Sequence, residues 1–242
     1  MYKTASNAVA FIRELIPLVK DAEALVYLAV PFTSIQATAD AAKNSNITIG
    51  AQNMNDASEG AFTGEIAAKM LTEAGAKFVL LGHSERRKIF HESNAFINRK
   101  IKSALSEKIQ PTLCIGETSE ERANGKTEEV ILQQLTECLE GFSAEELANL
   151  IVAYEPVWAI GTDNNATPEV AQEAHLVCRQ HLAKMFGDAF AKKIVIQYGG
   201  SVKPENAASL LAEPDIDGLL VGNASLQADS FSKIVNSYRK NL

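Results

Sequence analysis

Residues 150–167 read Leu-Ile-Val-Ala-Tyr-Glu-Pro-Val-Trp-Ala-Ile-Gly-Thr-Asp-Asn-Asn-Ala-Thr. The first five form a short apolar run, rich in β-branched residues, of the kind that makes a strand buried on both faces. Such strands belong to parallel sheets covered by helices. This one ends on a carboxylate, Glu155. Pro156 fixes its own φ and pushes Glu155 towards extended geometry, so the acid is presented on a stiff backbone. Val157 and Trp158 are large apolar groups that would exclude water around it and suit it to work as a general base near neutral pH. The small, permissive residues at 159–162 suit a lid. The alternative is a strand-ending glutamate engaged in an ordinary salt bridge.

The pattern continues on both sides. Val9, Ile12, Ile16 and Val19 recur at helical spacing, which predicts an amphipathic helix over 5–20. Strands are predicted at 25–30, 47–51, 77–82, 111–116, 150–154, 194–198 and 218–221. Helices follow at 65–74, 93–105, 128–139, 168–185, 204–211 and 229–238, with one more after Ser34, read as its cap. Continuous apolar strands alternating with helices imply βα repeats around a parallel sheet. No linker rich in Pro, Gly or Ser divides residues 1–242, so the chain is read as one domain, of a length usual for a (β/α)8 barrel. The count is eight helices but seven strands. The strand that should precede the first helix is absent, and an α/β barrel without its first β-strand has two open edges.

Composition limits the partners. With 46% hydrophobic and 22% charged residues the chain can build a sizeable core. A formal charge of −7 argues against nucleic acid and anionic membrane surfaces, so an anionic substrate must be held by local donors. Cys114, Cys138 and Cys178 are an odd number at spacings that match no zinc or disulfide pattern, which suits a cytoplasmic protein. The apolar run at 8–12 is interrupted by Arg13 and Glu14, well short of a membrane span.

Barrel enzymes carry their chemistry at the C-terminal strand ends. The strand at 77–82 runs into Gly82-His83-Ser84-Glu85-Arg86-Arg87. Backbone donors at the start of a helical turn there would disfavour the imidazolium and leave His83 a neutral electrophile. A lone histidine at such a place is usually structural; a shared rim with Glu155 favours catalysis. The last two strands end in Gly199-Gly200-Ser201 and Gly222-Asn223-Ala224-Ser225. One Gly-Gly reads as a turn, but two such loops in succession would bring backbone N–H groups against a phosphate. His175, Cys178 and His181 recur at three-residue steps but lack a fourth ligand, so they are read as ordinary helix positions and no metal is assigned. His91 is read as a surface residue, and the acidic stretch 117–129 as a solvated helix start.

Together these motifs resemble the triosephosphate isomerase family. The resemblance is carried by Gly-His-Ser-Glu-Arg-Arg at 82–87, Ala-Tyr-Glu-Pro-Val-Trp-Ala-Ile-Gly-Thr at 153–162, Tyr-Gly-Gly-Ser-Val at 198–202 and Leu-Val-Gly-Asn-Ala-Ser-Leu at 220–226. Gly-Ala-Gln-Asn at 50–53, Gly-Ala-Phe-Thr-Gly-Glu at 60–65 and Cys-Ile-Gly-Glu at 114–117 add to it. It implies a TIM barrel that interconverts glyceraldehyde 3-phosphate and dihydroxyacetone phosphate with no cofactor or metal. Glu155 would be the base and His83 the electrophile. Gly161, Ser201, Gly222 and Asn223 match phosphate-contact positions, residues 158–162 the lid, and Cys114 a buried structural position. The connection at 52–64 is too long for an ordinary βα loop. By resemblance it enters a second subunit near its tip at Thr63, giving a homodimer.

Three departures stand out. The family's first strand, ending in Asn-x-Lys, has no counterpart, and Lys3 belongs instead to the approach to the first helix. The expectation is that the natural protein extends upstream. Asp163-Asn164-Asn165 replaces a Gly-Lys after the lid, and Asn223 stands where a second glycine is usual. The competing readings are a phosphate-binding barrel without turnover and another sugar-phosphate enzyme. An aldolase would need a strand-end Schiff-base lysine and an epimerase a metal cluster, and neither is found in the predicted strands.

Overall fold

Every strand is followed by helix. In the computed structural model, which describes residues 1–160 and 166–238, α1 (Ala5–Val19) leads into β1 (Val26–Val30) and α2 (Ile35–Ala41), then β2 (Ile47–Ala51) and α3 (Ala68–Glu73). β3 (Phe78–Leu81) is followed by α4 (Ser84–Ile89) and α5 (Asn94–Ser106), and β4 (Gln110–Ile115) by α6 (Ser119–Ala123) and α7 (Thr127–Cys138). β5 (Ile151–Tyr154) precedes α8 (Pro168–Phe186) and α9 (Asp188–Ala191), β6 (Val195–Tyr198) precedes α10 (Ala207–Leu211), and β7 (Gly218–Leu219) precedes α11 (Ala228–Val235). The additions to the predicted list are the short helices α4, α6 and α9.

The seven strands form one sheet in chain order, each parallel to the next. β3 and β5 are buried at every position, as continuous apolar runs between two covered faces must be. The helices turn one apolar side to this sheet: α1 buries Ala8, Phe11, Ile12, Leu15 and Val19. Thr167 caps α8 and Pro168 opens it, while Gly187 ends it at a φ of 89°. Ser34 does not cap α2 as predicted. The chain reaches α2 through a 3-10 turn, so Ser34 is already helical and its side chain makes no capping bond.

Among the described residues β1 and β7 are not paired with each other, so the sheet is an open, curled one. The outer layer does close across this seam, because α11 packs on α1 and Asn236 Nδ2 donates to the Leu18 carbonyl at 3.1 Å. Between α11 and the sheet lies a cavity of about 430 Å³, lined in part by Tyr27, Leu150, Gln197, Leu219 and Phe231.

The long connection after β2 runs further than expected, to the start of α3, so residues 65–67 are loop and not helix. Asn55 braces it, its N–H donating to the Ile66 carbonyl and its Nδ2 to Glu65, both at 2.9 Å. Phe62 and Thr63 are exposed near its tip.

Candidate active site

Glu155 follows β5 directly and is 2% exposed. Its N–H continues the ladder to the Ile115 carbonyl at 2.7 Å. A Cβ at Gly199 would stand 2.9 Å from Glu155 Cγ and 3.3 Å from the Tyr154 carbonyl oxygen, so glycine at the end of β6 makes room for the acid. The partners of the carboxylate resolve the two readings of this residue. Oε1 lies 2.9 Å from His83 Nε2, and Oε2 accepts from the Ser84 N–H at 3.0 Å. The acid is paired with the other candidate catalyst, in place of a lysine or arginine.

His83 is set by the turn after β3. Gly82 adopts a φ of 73°, and His83 then caps α4, with Nδ1 accepting from the Glu85 N–H at 3.3 Å. Because Nδ1 accepts, the neutral ring carries its proton on Nε2, where it points at Glu155. Burial lowers the His83 pKa, but the hydrogen bond and charge of Glu155 outweigh it, so the net shift is upward. The predicted backbone donor is in place, yet in this arrangement Glu155 draws the ring towards the imidazolium. The Cys114 thiol lies against Glu155 as well; burial first, then that charge, push it well above its ordinary range, so it remains a thiol.

Trp158 is held by two charged side chains. Its Nε1 donates to Glu117 Oε1 at 2.9 Å, and its ring lies under Arg122, 4.0 Å from guanidinium carbon to ring centroid. Glu117 is 0% exposed, contrary to the reading of residues 117–129 as solvated. It accepts from Tyr154 Oη at 3.1 and 3.0 Å and from Thr127 Oγ1 at 3.2 Å, and its carbonyl accepts from the Val157 N–H at 3.1 Å. Glu120, Glu128 and Glu129 of the same stretch are exposed. In the sequence Glu117 stands out only as the last residue of the Cys-Ile-Gly-Glu motif at 114–117.

The phosphate-loop candidates share this end of the sheet. Tyr198 pairs with Leu219 in register, so the loops after β6 and β7 leave side by side. Gly200 lies against the Tyr198 hydroxyl with no room for a Cβ. The Ser201 carbonyl accepts from Asn206 Nδ2 at 3.0 Å. Gly222 and Asn223 are exposed, and Asn223 opens a 3-10 turn whose Ser225 N–H donates to the Gly222 carbonyl at 2.9 Å. Gly161 lies outside the described residues, as do Thr162 and Asp163-Asn164-Asn165.

The remaining histidines have other partners. His175 is wholly buried, its Nδ1 donating to the Asp215 carbonyl at 3.0 Å, and burial pushes its pKa down to about 4. His181 Nε2 meets Thr136 Oγ1 at 2.8 Å. His91 is exposed, and Lys3 stands over the Phe11 ring.

A parallel, helix-covered sheet with its candidate residues at the C-terminal strand ends defines an α/β protein of the TIM type. The sequence model described as triosephosphate isomerase matches residues 1–238. The triosephosphate isomerase of Protochlamydia amoebophila is 58% identical over 236 residues, covering 98% of this chain and 89% of that protein. That of Caldanaerobacter subterraneus subsp. tengcongensis is 50% identical, covering 98% of this chain and 95% of that protein. The crystal structure of triosephosphate isomerase from Bartonella henselae superposes with a TM-score of 0.89 at 36% identity, covering 99% of this chain and 96% of that one. The chain belongs to the triosephosphate isomerase family, and it is an isomerase.

Proposed function

We propose that the chain interconverts D-glyceraldehyde 3-phosphate and dihydroxyacetone phosphate through an enediol. The observation that carries this reading is the 2.9 Å contact between a buried carboxylate after β5 and a neutral-tautomer Nε2–H after β3, at the end of the sheet that also carries the two glycine loops. Glu155 removes a proton from one substrate carbon and returns it to the next. His83 donates its Nε2–H to the carbonyl and passes protons between the two oxygens, the division of labour known for triosephosphate isomerases. In the arrangement described, the two catalysts are bonded to each other. An entering carbonyl replaces Glu155 on Nε2, which frees the carboxylate to turn to the substrate C–H. It also removes the charge that draws His83 towards the imidazolium, leaving burial and the Glu85 N–H to keep the ring neutral. The scheme is acid–base chemistry throughout and calls on no metal or organic cofactor.

Ser201, Gly222 and Asn223 are assigned to the phosphate, together with Gly161. A lid at 158–162 would shield the enediol phosphate from water and from loss of its phosphate group. We assign the protein to the cytoplasm and to glycolysis. Among the described residues no helix is long and apolar enough to cross a membrane. The exposed apolar side chains of Phe62, Ile89 and Phe90 support a homodimer built through the loop at 52–64.

The unpaired edges of β1 and β7 among the described residues favour a second reading, a barrel that binds phosphate esters with little turnover. The deciding experiment is isomerisation of glyceraldehyde 3-phosphate by the 242-residue chain, beside its binding of a phosphorylated transition-state analogue. Turnover is expected. Binding of the analogue without isomerisation would select the second reading, and failure of both would refute the two readings together.

A further inference from the structure

We infer that Arg87 is a positioning residue for this reaction: its guanidinium, bonded at once to the Gly82 and Cys114 carbonyls, fixes the crossing of the β4 end that brings His83 to Glu155. The inference rests on the acid–base reading above.

His83 and Glu155 do not follow neighbouring strands. β4 lies between β3 and β5, so the chain leaving β3 has to cross the end of β4 for Nε2 to come within 2.9 Å of the carboxylate. The crossing begins where the pairing of β3 with β4 stops. Its last pair is Leu81 with Leu113, and Gly82 then turns away at a φ of 73°. The carbonyls of Gly82 and Cys114 lie just beyond that pair and need donors from elsewhere.

Arg87 supplies both. Its Nε donates to the Gly82 carbonyl at 2.7 Å and its Nη2 to the Cys114 carbonyl at 3.0 Å. A planar guanidinium presents these donors as a rigid fork, so the two carbonyls are held at one separation. Nη1 donates to Asn94 Oδ1, and Nη2 faces Cys138 Sγ at 3.7 Å, which anchors the fork on α5 and α7. The missing side chain of Gly82 makes the room. A Cβ there would stand 2.8 Å from Ile97 Cδ1 and 3.0 Å from Arg87 Nη2.

The neighbouring cations of α4 are engaged differently. Arg86 pairs with Glu92 and lies on the Phe90 ring, and Lys88 is exposed. Among the described residues Arg87 is linked to a carboxylate only through Asn94, whose Nδ2 donates to Glu137 at 2.9 Å. Its donors are directed to backbone at two strand ends. Both of those ends adjoin the proposed chemistry, since Gly82 precedes His83 and the Cys114 thiol lies against Glu155. Loosening the fork lets His83 shift relative to Glu155, and a misplacement of about 1 Å costs on the order of 100-fold in rate.

The test compares wild type with Arg87→Met and Arg87→Lys. Methionine keeps much of the bulk and leaves both carbonyls without a donor. Lysine keeps the charge but has one nitrogen in place of a planar fork. Each protein is titrated with glycerol 3-phosphate, which keeps the phosphate and carbon chain of the substrate but has no carbonyl to enolise, and turnover is counted per site that binds it. For Arg87→Met, kcat per site is expected to fall about 10- to 100-fold. KM for glyceraldehyde 3-phosphate and affinity for glycerol 3-phosphate should stay near those of wild type, because the phosphate loops follow β6 and β7. Arg87→Lys should recover part of the lost kcat. A purely structural role would lower the urea midpoint and the number of binding sites while leaving kcat per site unchanged, and that result would overturn the inference. So would a loss confined to KM, or failure of both variants to fold. Wild type that binds glycerol 3-phosphate without isomerising glyceraldehyde 3-phosphate would overturn the acid–base reading, and this inference with it.

Discussion

At the scale of single residues, Glu155 and His83 have each other as partners, and two consequences can be measured. Glu155→Gln keeps the shape and the Ser84 hydrogen bond but removes the proposed base, so kcat should fall by about 10²- to 10⁴-fold with KM little changed. A loss confined to KM would reassign Glu155 to binding. The second consequence concerns pH. The folded pKa of His83 is raised above its ordinary 6.5, so its pairing with Glu155 stabilises the fold fully below pH 6.5 and is lost as pH rises through the raised value. His175 works in the opposite sense. Its folded value of about 4 lies below 6.5, so holding it neutral costs stability as pH falls through that window, on the order of 3 kcal/mol at the lower end. Urea midpoints between pH 4 and 8 should therefore show His83→Gln losing most relative to wild type at the acid end. His175→Gln should flatten the acid loss. Parallel pH profiles for all three proteins would contradict both assignments.

At the scale of elements, the site depends on how closely neighbouring strand ends approach. Glu155 sits between Gly116 after β4 and Gly199 after β6, and each lies too near it to carry a side chain freely. A methyl group at Gly199 would press on Glu155 Cγ at 2.9 Å, while the φ of this residue is not left-handed. Gly199→Ala should consequently displace the Glu155 side chain more than it weakens the fold. A kcat reduced by ten-fold or more, with a urea midpoint close to wild type, is the expected pattern. Full activity would show that Glu155 has room the backbone does not suggest. The same element logic explains Glu117. It follows β4 by two residues, so the register of β4 with β5 carries it inward against Tyr154 and away from solvent.

At the scale of the whole molecule, a closed layer of helices lies over an open sheet. α1 and α11 meet across the seam, but the edges of β1 and β7 remain unpaired among the described residues, above a cavity of about 430 Å³. The long loop after β2 is held at its base by Arg99 on Asp56 at 2.7 Å and by Lys69 on Glu59 at 2.9 Å. Its tip presents Phe62, 52% exposed. A braced loop with an exposed aromatic tip suits a symmetric interface. Sedimentation at micromolar concentration should give twice the mass of one chain, and Phe62→Asp should shift it towards the monomer. A single-chain mass for the wild type would refute the dimer.

The sequence by itself determined the alternation of strands and helices, their parallel sense and the strand ends at which chemistry would gather. It also showed the two catalytic candidates and both glycine loops. These are local properties: hydrophobic period, turn residues and the stiffness of a proline are written within a few positions of one another. Tertiary structure decided what each side chain meets. Ser84 and Glu155 are 71 positions apart and become hydrogen-bonded only when β3, β4 and β5 take their register. The same register buried Glu117 within an acidic stretch that reads as solvated, and gave Trp158 the charged partners Glu117 and Arg122. Partners set by packing across a sheet leave no periodic trace in the chain, because the distance between them in space is unrelated to their distance in sequence.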